Sequence, residues 1–317
     1  MLLITAISCK DYLNIDTYFD DEFNIDSAYS NKRYIEAYMW GAAALFPDES
    51  NTIRSNYTPG PMATDEAING LTGAGTTNIY YGMDFVTGNI TPDFYGGLNQ
   101  WGTYYKIIRK ANNVLKNIDK PRDMTYADRN RIEGYTRFIR AYAYYNLIID
   151  FGPPILLGDE IVNTNETIEY YDRPRATYDE AMEYICEEFE KAAVQLPVDV
   201  GLLDFGKPTK GAAYALIARL RLIHASPLFN GGPVASSYFG NWTRRTDGVH
   251  YVSQQYDEKR WAVAAAAAKR VMDMGKYKLY TVPADERTPE LPAGVTTDPN
   301  FYGSYPNGAK GIDAFRS

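Results

Sequence analysis

The sequence predicts a mainly α protein: a helical-hairpin scaffold broken by long irregular loops. Three observations predict it. Apolar residues recur at 101, 104/105, 108, 111, 115 and 118, and again at 132, 135, 138/139, 142, 145 and 149, which is helical spacing. Between these runs, Asp119, Pro121 and Thr125 supply loop and cap chemistry, and so short a connection makes the two helices antiparallel with their aromatic stripes facing. By contrast, residues 47–96 are punctuated by Gly, Pro, Thr and Asn and hold no helical stripe. A hairpin of this kind cannot bury its apolar face alone and needs stacked neighbours.

The elements follow in order. Residues 10–26 read as an extended acidic lead-in. Asp26-Ser27 can cap a helix reaching about Leu45, with Tyr34, Ala37, Tyr38, Gly41 and Leu45 on one face. The loop over 47–96 follows, and a loop that long inside a domain is usually functional. After the two helices described above, Phe151-Gly152-Pro153-Pro154 stops the second one, and Ile155-Leu156-Leu157 reads as a short buried extended piece. Thr177 caps the next helix, with Glu180 completing a capping box, and that helix runs to about Leu196-Pro197. Thr209 caps another that reaches His224. Residues 230–257 read as a second polar and aromatic loop, 258–274 as an alanine-rich helix, and 281–317 as Pro- and Gly-rich chain. The helical scaffold thus occupies about 27–46 and 97–280.

Composition narrows the function. The chain has 317 residues, 45% hydrophobic and 23% charged, as a globular protein does. Its net charge of −8 disfavours non-specific binding to nucleic acid or to an anionic lipid surface. Tyrosine is the outlier at 28 residues; it packs a ring and keeps a polar tip, which suits helix interfaces and sugar-stacking surfaces alike. Two cysteines are too few for a disulfide framework. Cys186 sits beside a helical stripe and reads as a small buried hydrophobe. Cys9 follows an apolar run ending in small residues and precedes Lys10-Asp11-Tyr12. That is similar to the end of a bacterial lipoprotein signal, although the basic leading segment is missing and Ala6 stands where Leu is usual. The same residues equally suit a frayed terminus with a chance cysteine.

At this point the order and spacing of motifs resemble the SusD/RagB family of outer-membrane nutrient-binding lipoproteins. The resemblance rests on Trp101, Tyr105, Ile108 and Ala111-Asn112, then Phe138-Ile139-Arg140-Ala141-Tyr142 and Phe151-Gly152-Pro153-Pro154-Ile155. It continues through Arg175, Thr177 and Leu196-Pro197, Gly206-Lys207-Pro208-Thr209, and Trp261 with its alanine run. Tyr135-Thr136 and Gly206-Lys207 depart from the family's usual Glu-Ala and Gly-Arg. The resemblance implies a tetratricopeptide-like scaffold over 10–317, with 1–9 a residual lipoprotein signal ending at a lipidated Cys9 and 281–317 the start of a truncated irregular lobe. It implies a lipid-anchored protein on the cell surface at the outer membrane. Such a protein captures oligosaccharides for a SusC-like TonB-dependent transporter and is not an enzyme. No cofactor and no nucleic-acid partner is expected.

The residues themselves show no catalytic constellation. His224 and His250 lie in different elements, with no His/Cys cluster for a transition metal and no glycine-rich phosphate loop. His224 reads as a packed or dipole-facing helix-end residue. Carboxylates are plentiful, so an α-helical glycoside hydrolase stays open, with Asp65-Glu66 the one pair in a non-helical setting. A helical-repeat protein-binding scaffold is the other alternative. Glycan capture needs only flat rings for sugar C–H faces, with amide and charged groups for the hydroxyls. The two long loops offer these. Asn78, Tyr80, Tyr81 and Tyr95 in the first, and Trp242 and Arg244 in the second, are the candidate contacts. Trp242 lies outside any helical stripe, and packing and binding are both open for it. Trp101 and Trp261 sit on helical stripes and read as core.

Overall fold

The computed structural model describes residues 29–47, 64–65, 88, 91, 99–163 and 165–278. Among them the regular elements are helices, and an isolated antiparallel bridge joins Thr243 and His250. Helix α1 spans Lys32–Ala43, α2 Trp101–Asn117, α3 Tyr126–Phe151, α4 Ile168–Tyr171, α5 Tyr178–Gln195, α6 Lys210–Ala225, α7 Gly232–Phe239 and α8 Lys259–Asp273.

Cap chemistry sets the helix starts. Thr125 and Asp128 form a capping box, so α3 begins six residues before its apolar stripe does. Thr177 and Glu180 form the expected box on α5, and the Thr209 hydroxyl accepts from the Ala212 amide at the start of α6. Helix α1 is capped by Asn31, later than expected, and Asp26-Ser27 lie outside the described residues. Gly152 ends α3 at φ +75°, a backbone state that only glycine adopts readily, and Pro153-Pro154 keep the helix from resuming.

Side-chain pairs report how the helices run. Tyr104 at the start of α2 donates to Asp150 at the end of α3 at 3.0 Å, so the pair is antiparallel. Arg140 meets Glu188, and Gly134 lies against Gln195, so α3 and α5 are antiparallel. Asp179 meets His224 and Glu183 meets Arg221, so α5 and α6 are antiparallel too. Helix α1 runs alongside α3, with Lys32 on Asp128 and Glu36 on Arg131. One continuous apolar core joins these helices through Ile35, Ile107, Ile108, Ile132, Tyr144, Leu147, Phe189 and Leu220. Such stacking is the helical-hairpin array that the periodicity predicts. Cys186 is buried there, and burial pushes its thiol pKa up to about 12.

Several expectations need correction. The 230–257 segment is not irregular throughout, because Pro233 at the first turn starts the eight-residue helix α7. Ile155-Leu156-Leu157 is half-buried and joins no strand; tyrosine hydroxyls bond its backbone instead, Tyr105 at Ile155 and Tyr144 at Leu157. Trp261 is 40% exposed, so it is not core. Only Ala264 of α8 is buried, and an alanine face gives the neighbouring indole little apolar depth to enter.

The chain divides into two compact units, residues 1–269 and 270–317. Of the second, 270–278 are described, and they hold the last turn of α8. Among the described residues no helix is long and apolar enough to cross a membrane.

Candidate functional site

The segment between Trp242 and Tyr251 folds into a tight hairpin. The Tyr251 amide donates to the Trp242 carbonyl at 3.0 Å, and the Arg244 amide to the Val249 carbonyl at 2.7 Å. Gly248 makes the turn at φ +72°. The Arg244 guanidinium grips Asp247 within the turn at 2.7 Å and reaches Glu180 on α5 at 2.9 Å. The Tyr178 amide at the start of α5 donates to the Tyr251 carbonyl at 2.7 Å. The hairpin is therefore clamped to a helix N-terminus at two points.

That clamp fixes Trp242. Its ring packs on Tyr251 at 4.7 Å and on Phe239 at 5.9 Å, and its edge lies 3.5 Å from where a Cβ on Gly152 would stand. It remains 36% exposed. The exposed part lines a cleft of about 740 Å³ together with Asp172, Arg173, Arg175, Thr243, Arg245 and Tyr251. A half-held indole beside guanidinium and hydroxyl groups is the arrangement that stacks a sugar ring and reads its hydroxyls.

A second cleft, of about 420 Å³, shares Arg173 and is walled by Trp101, Tyr105, Ile155, Leu157 and Tyr171. The Arg175 guanidinium lies 4.6 Å over the Trp101 ring and donates to the Phe151 carbonyl at 2.9 Å. Trp101 is thus only half-buried, against the reading of it as core. It stands in T-shaped contact with Phe151 at 5.6 Å and lines the cleft.

The expected site residues divide as follows. Trp242 lines the larger cleft. Arg244 stands beside it with its guanidinium committed to Asp247 and Glu180, and its neighbour Arg245 is the one on the lining. Asn78, Tyr80, Tyr81, Tyr95 and Cys9 lie outside the described residues. Arg173, Arg175 and Tyr251 are lining residues that pattern reading missed. The one signal pointing to the arginines was the Asp172-Arg173-Pro174-Arg175 run between two helices.

Three carboxylates in the grooves, Asp179, Glu183 and Glu160, are held as anions. In a third, polar cleft Asp179 accepts from His224 at 2.7 Å and from Arg260 at 2.9 Å. Burial disfavours its charge, yet these two partners hold its carboxyl below the ordinary range. Arg221 does the same for Glu183, and Arg173 for Glu160. A glycosidase general acid needs the opposite shift. Among the described residues no group of three or more His, Cys, Asp or Glu could hold a metal ion.

Fold and clefts together define a class: an α-helical hairpin scaffold that presents aromatic, cationic clefts beside its helix ends. Comparison narrows it. The SusD-like family, described as starch-binding and associating with the outer membrane, matches residues 11–222, well over half of the chain. The chain belongs to that family. Its fold is similar to the solved structure of BT4246, with a TM-score of 0.62 at 22% identity over 79% of this chain and 42% of that one. It is also similar to a SusD superfamily protein from Parabacteroides distasonis, with a TM-score of 0.52 at 19% identity over 78% of this chain and 46% of that one. The chain thus spans less than half the length of either structure. No curated protein matches it significantly.

Proposed function

We propose that the chain is the glycan-binding part of a cell-surface lipoprotein. It captures an oligosaccharide without cleaving it, for import through a partner SusC-like TonB-dependent transporter. Family membership supports the carbohydrate part of this reading. The observation that best supports a site for it is Trp242, packed at one edge and exposed at the other over a cleft of about 740 Å³. Asn78, Tyr80, Tyr81 and Tyr95 extend the contact in this proposal, and Arg244 serves it by holding the hairpin. The anchor at Cys9 and the transporter rest on the family resemblance and on the residues around Cys9.

One surface favours a protein partner as well. The turn joining α5 and α6 exposes Leu202, Leu203 and Phe205 at 90%, 100% and 87%. A solvated apolar cluster of that kind marks a contact surface.

The purified protein should be retarded in native gels containing the polysaccharide it takes, and should release no reducing sugar from it. Release that a single carboxylate substitution abolishes would replace this reading with a glycoside hydrolase. Mass spectrometry of membrane-fraction protein should show a lipid on Cys9; an unmodified Met1 start there would remove the anchor.

A further inference from the structure

The two clefts that share Arg173 carry a charge at odds with the rest of the chain. Their linings hold five cationic side chains, Lys106, Arg109, Arg173, Arg175 and Arg245, against two carboxylates, Glu160 and Asp172. The whole chain carries −8. Arg173 is neutralised, since it grips Glu160 through both guanidinium nitrogens at 2.6 and 2.8 Å. That leaves four cations facing one carboxylate.

Those four have no carboxylate partner among the described residues. Arg109 donates to the Val162 carbonyl, and Arg175 to the Phe151 carbonyl while it lies over Trp101. Both are held in place with their charge uncompensated. Lys106 and Arg245 are exposed at the edges of the strip. Several arginines elsewhere pair with carboxylates: Arg131 with Glu36, Arg137 with Glu133, Arg221 with Glu183, Arg244 with Asp247 and Arg260 with Asp179. Fixed, unpaired guanidiniums beside exposed rings are a receptor for anions on a flat apolar frame.

We propose that the clefts select an anionic oligosaccharide, one bearing carboxylate or sulfate groups on its sugar rings, over a neutral one. This rests on the glycan-binding reading above and names the substrate class of the same site. Trp242 and Trp101 take ring faces, and Arg175, Arg245, Arg109 and Lys106 take the anionic groups. Asp172 is the lone opposing charge and suits a hydroxyl donor. The acidic remainder of the chain does not cancel the strip, because charges more than about 8 Å away are largely screened at physiological salt while contacts in the cleft are not.

Matched glycan pairs test this. Polygalacturonate and its methyl ester share a backbone and differ in whether the carboxyl is charged or esterified, and dextran sulfate and dextran differ in sulfate. Binding of the intact chain is measured at low and at physiological salt. One charged member should bind at least tenfold more tightly than its neutral twin, and whichever pair shows the gap identifies the anion. Affinity should fall with salt, about two- to fivefold further with Arg245→Gln or Lys106→Gln, both exposed and unpaired, and also with Trp242→Ala. Equal binding of neutral and charged members, lost in Trp242→Ala, would overturn the anion preference and leave the glycan site standing. Polyanion binding indifferent to Trp242→Ala, or matched by single-stranded DNA, would overturn the proposal as mere charge attraction. Failure of every glycan to bind would overturn both readings.

Discussion

Arg140 is 1% exposed and meets Glu188, itself 2% exposed, at 2.5 Å. It also donates to Asn112 at 2.7 Å and to Asp159 at 2.6 Å, so one guanidinium ties α2, α3, α5 and the 158–160 loop. Asn112 in turn donates to the carbonyls of Gly158 and Glu160. The paired residues of the family motifs, Ala111-Asn112 and Arg140-Ala141, are thus a structural joint, and they hold the loop from which Glu160 orients Arg173. Removing one member of a buried ion pair costs about 3–5 kcal/mol when it strands the other charge; Lys191 still holds Glu188 at 2.9 Å, so the loss here falls at the lower end of that range. Arg140→Met should therefore lower unfolding free energy by roughly that amount in urea titrations, and Glu188→Leu added to it should recover much of the loss. An Arg140→Met protein as stable as the parent would contradict the joint.

At the scale of elements, the helices were legible and the hairpin was not. A 3.6-residue period and a Thr-x-x-Glu box are local, so α2, α3, α5 and α6 could be placed from the residues alone. The start of α3 was missed because its first turn, Tyr126 to Arg131, is polar and its cap rather than its stripe defines it. The 242–251 hairpin has one β bridge and no alternating apolar pattern, and its stability comes from Arg244 reaching a carboxylate sixty-four positions away. The cleft likewise joins Trp101 to Arg175 and Gly152 to Trp242, contacts no local pattern encodes. Arg244 and Arg245 differ by one position, and only the turn geometry decides which of them ties and which lines. Two substitutions separate the roles. Thr177→Ala should cost about 1 kcal/mol through the lost cap and leave glycan affinity unchanged. Arg244→Ala should hardly move the thermal midpoint and still weaken binding severalfold, although it touches no ligand. Unchanged affinity in Arg244→Ala would show that the hairpin needs no tether.

For the molecule as a whole, paired carboxylates set the acid limit. Burial disfavours the charge on Glu188, yet Arg140 and Lys191 hold its carboxyl below the ordinary range; Asp179, Glu183 and Asp128 are depressed by their own partners. Depressed folded pKa values give stability that is complete above the unfolded value near pH 4 and lost as pH falls through the folded ones. Thermal midpoints should be level from about pH 5 to 8 and drop steeply below about pH 4; a midpoint unchanged at pH 3 would contradict these pairings. The central claim, that the Trp242 cleft captures glycan, has a sharper test. Trp242 and Trp261 are similarly exposed, at 36% and 40%, but only Trp242 lines the cleft. Removing a stacked ring costs about 0.5–1.5 kcal/mol beyond lost area. Isothermal titration of the bound glycan against Trp242→Ala and Trp261→Ala, both folded by circular dichroism, should show affinity reduced about tenfold or more in the first and unchanged in the second. Wild-type affinity in a folded Trp242→Ala protein would contradict the account.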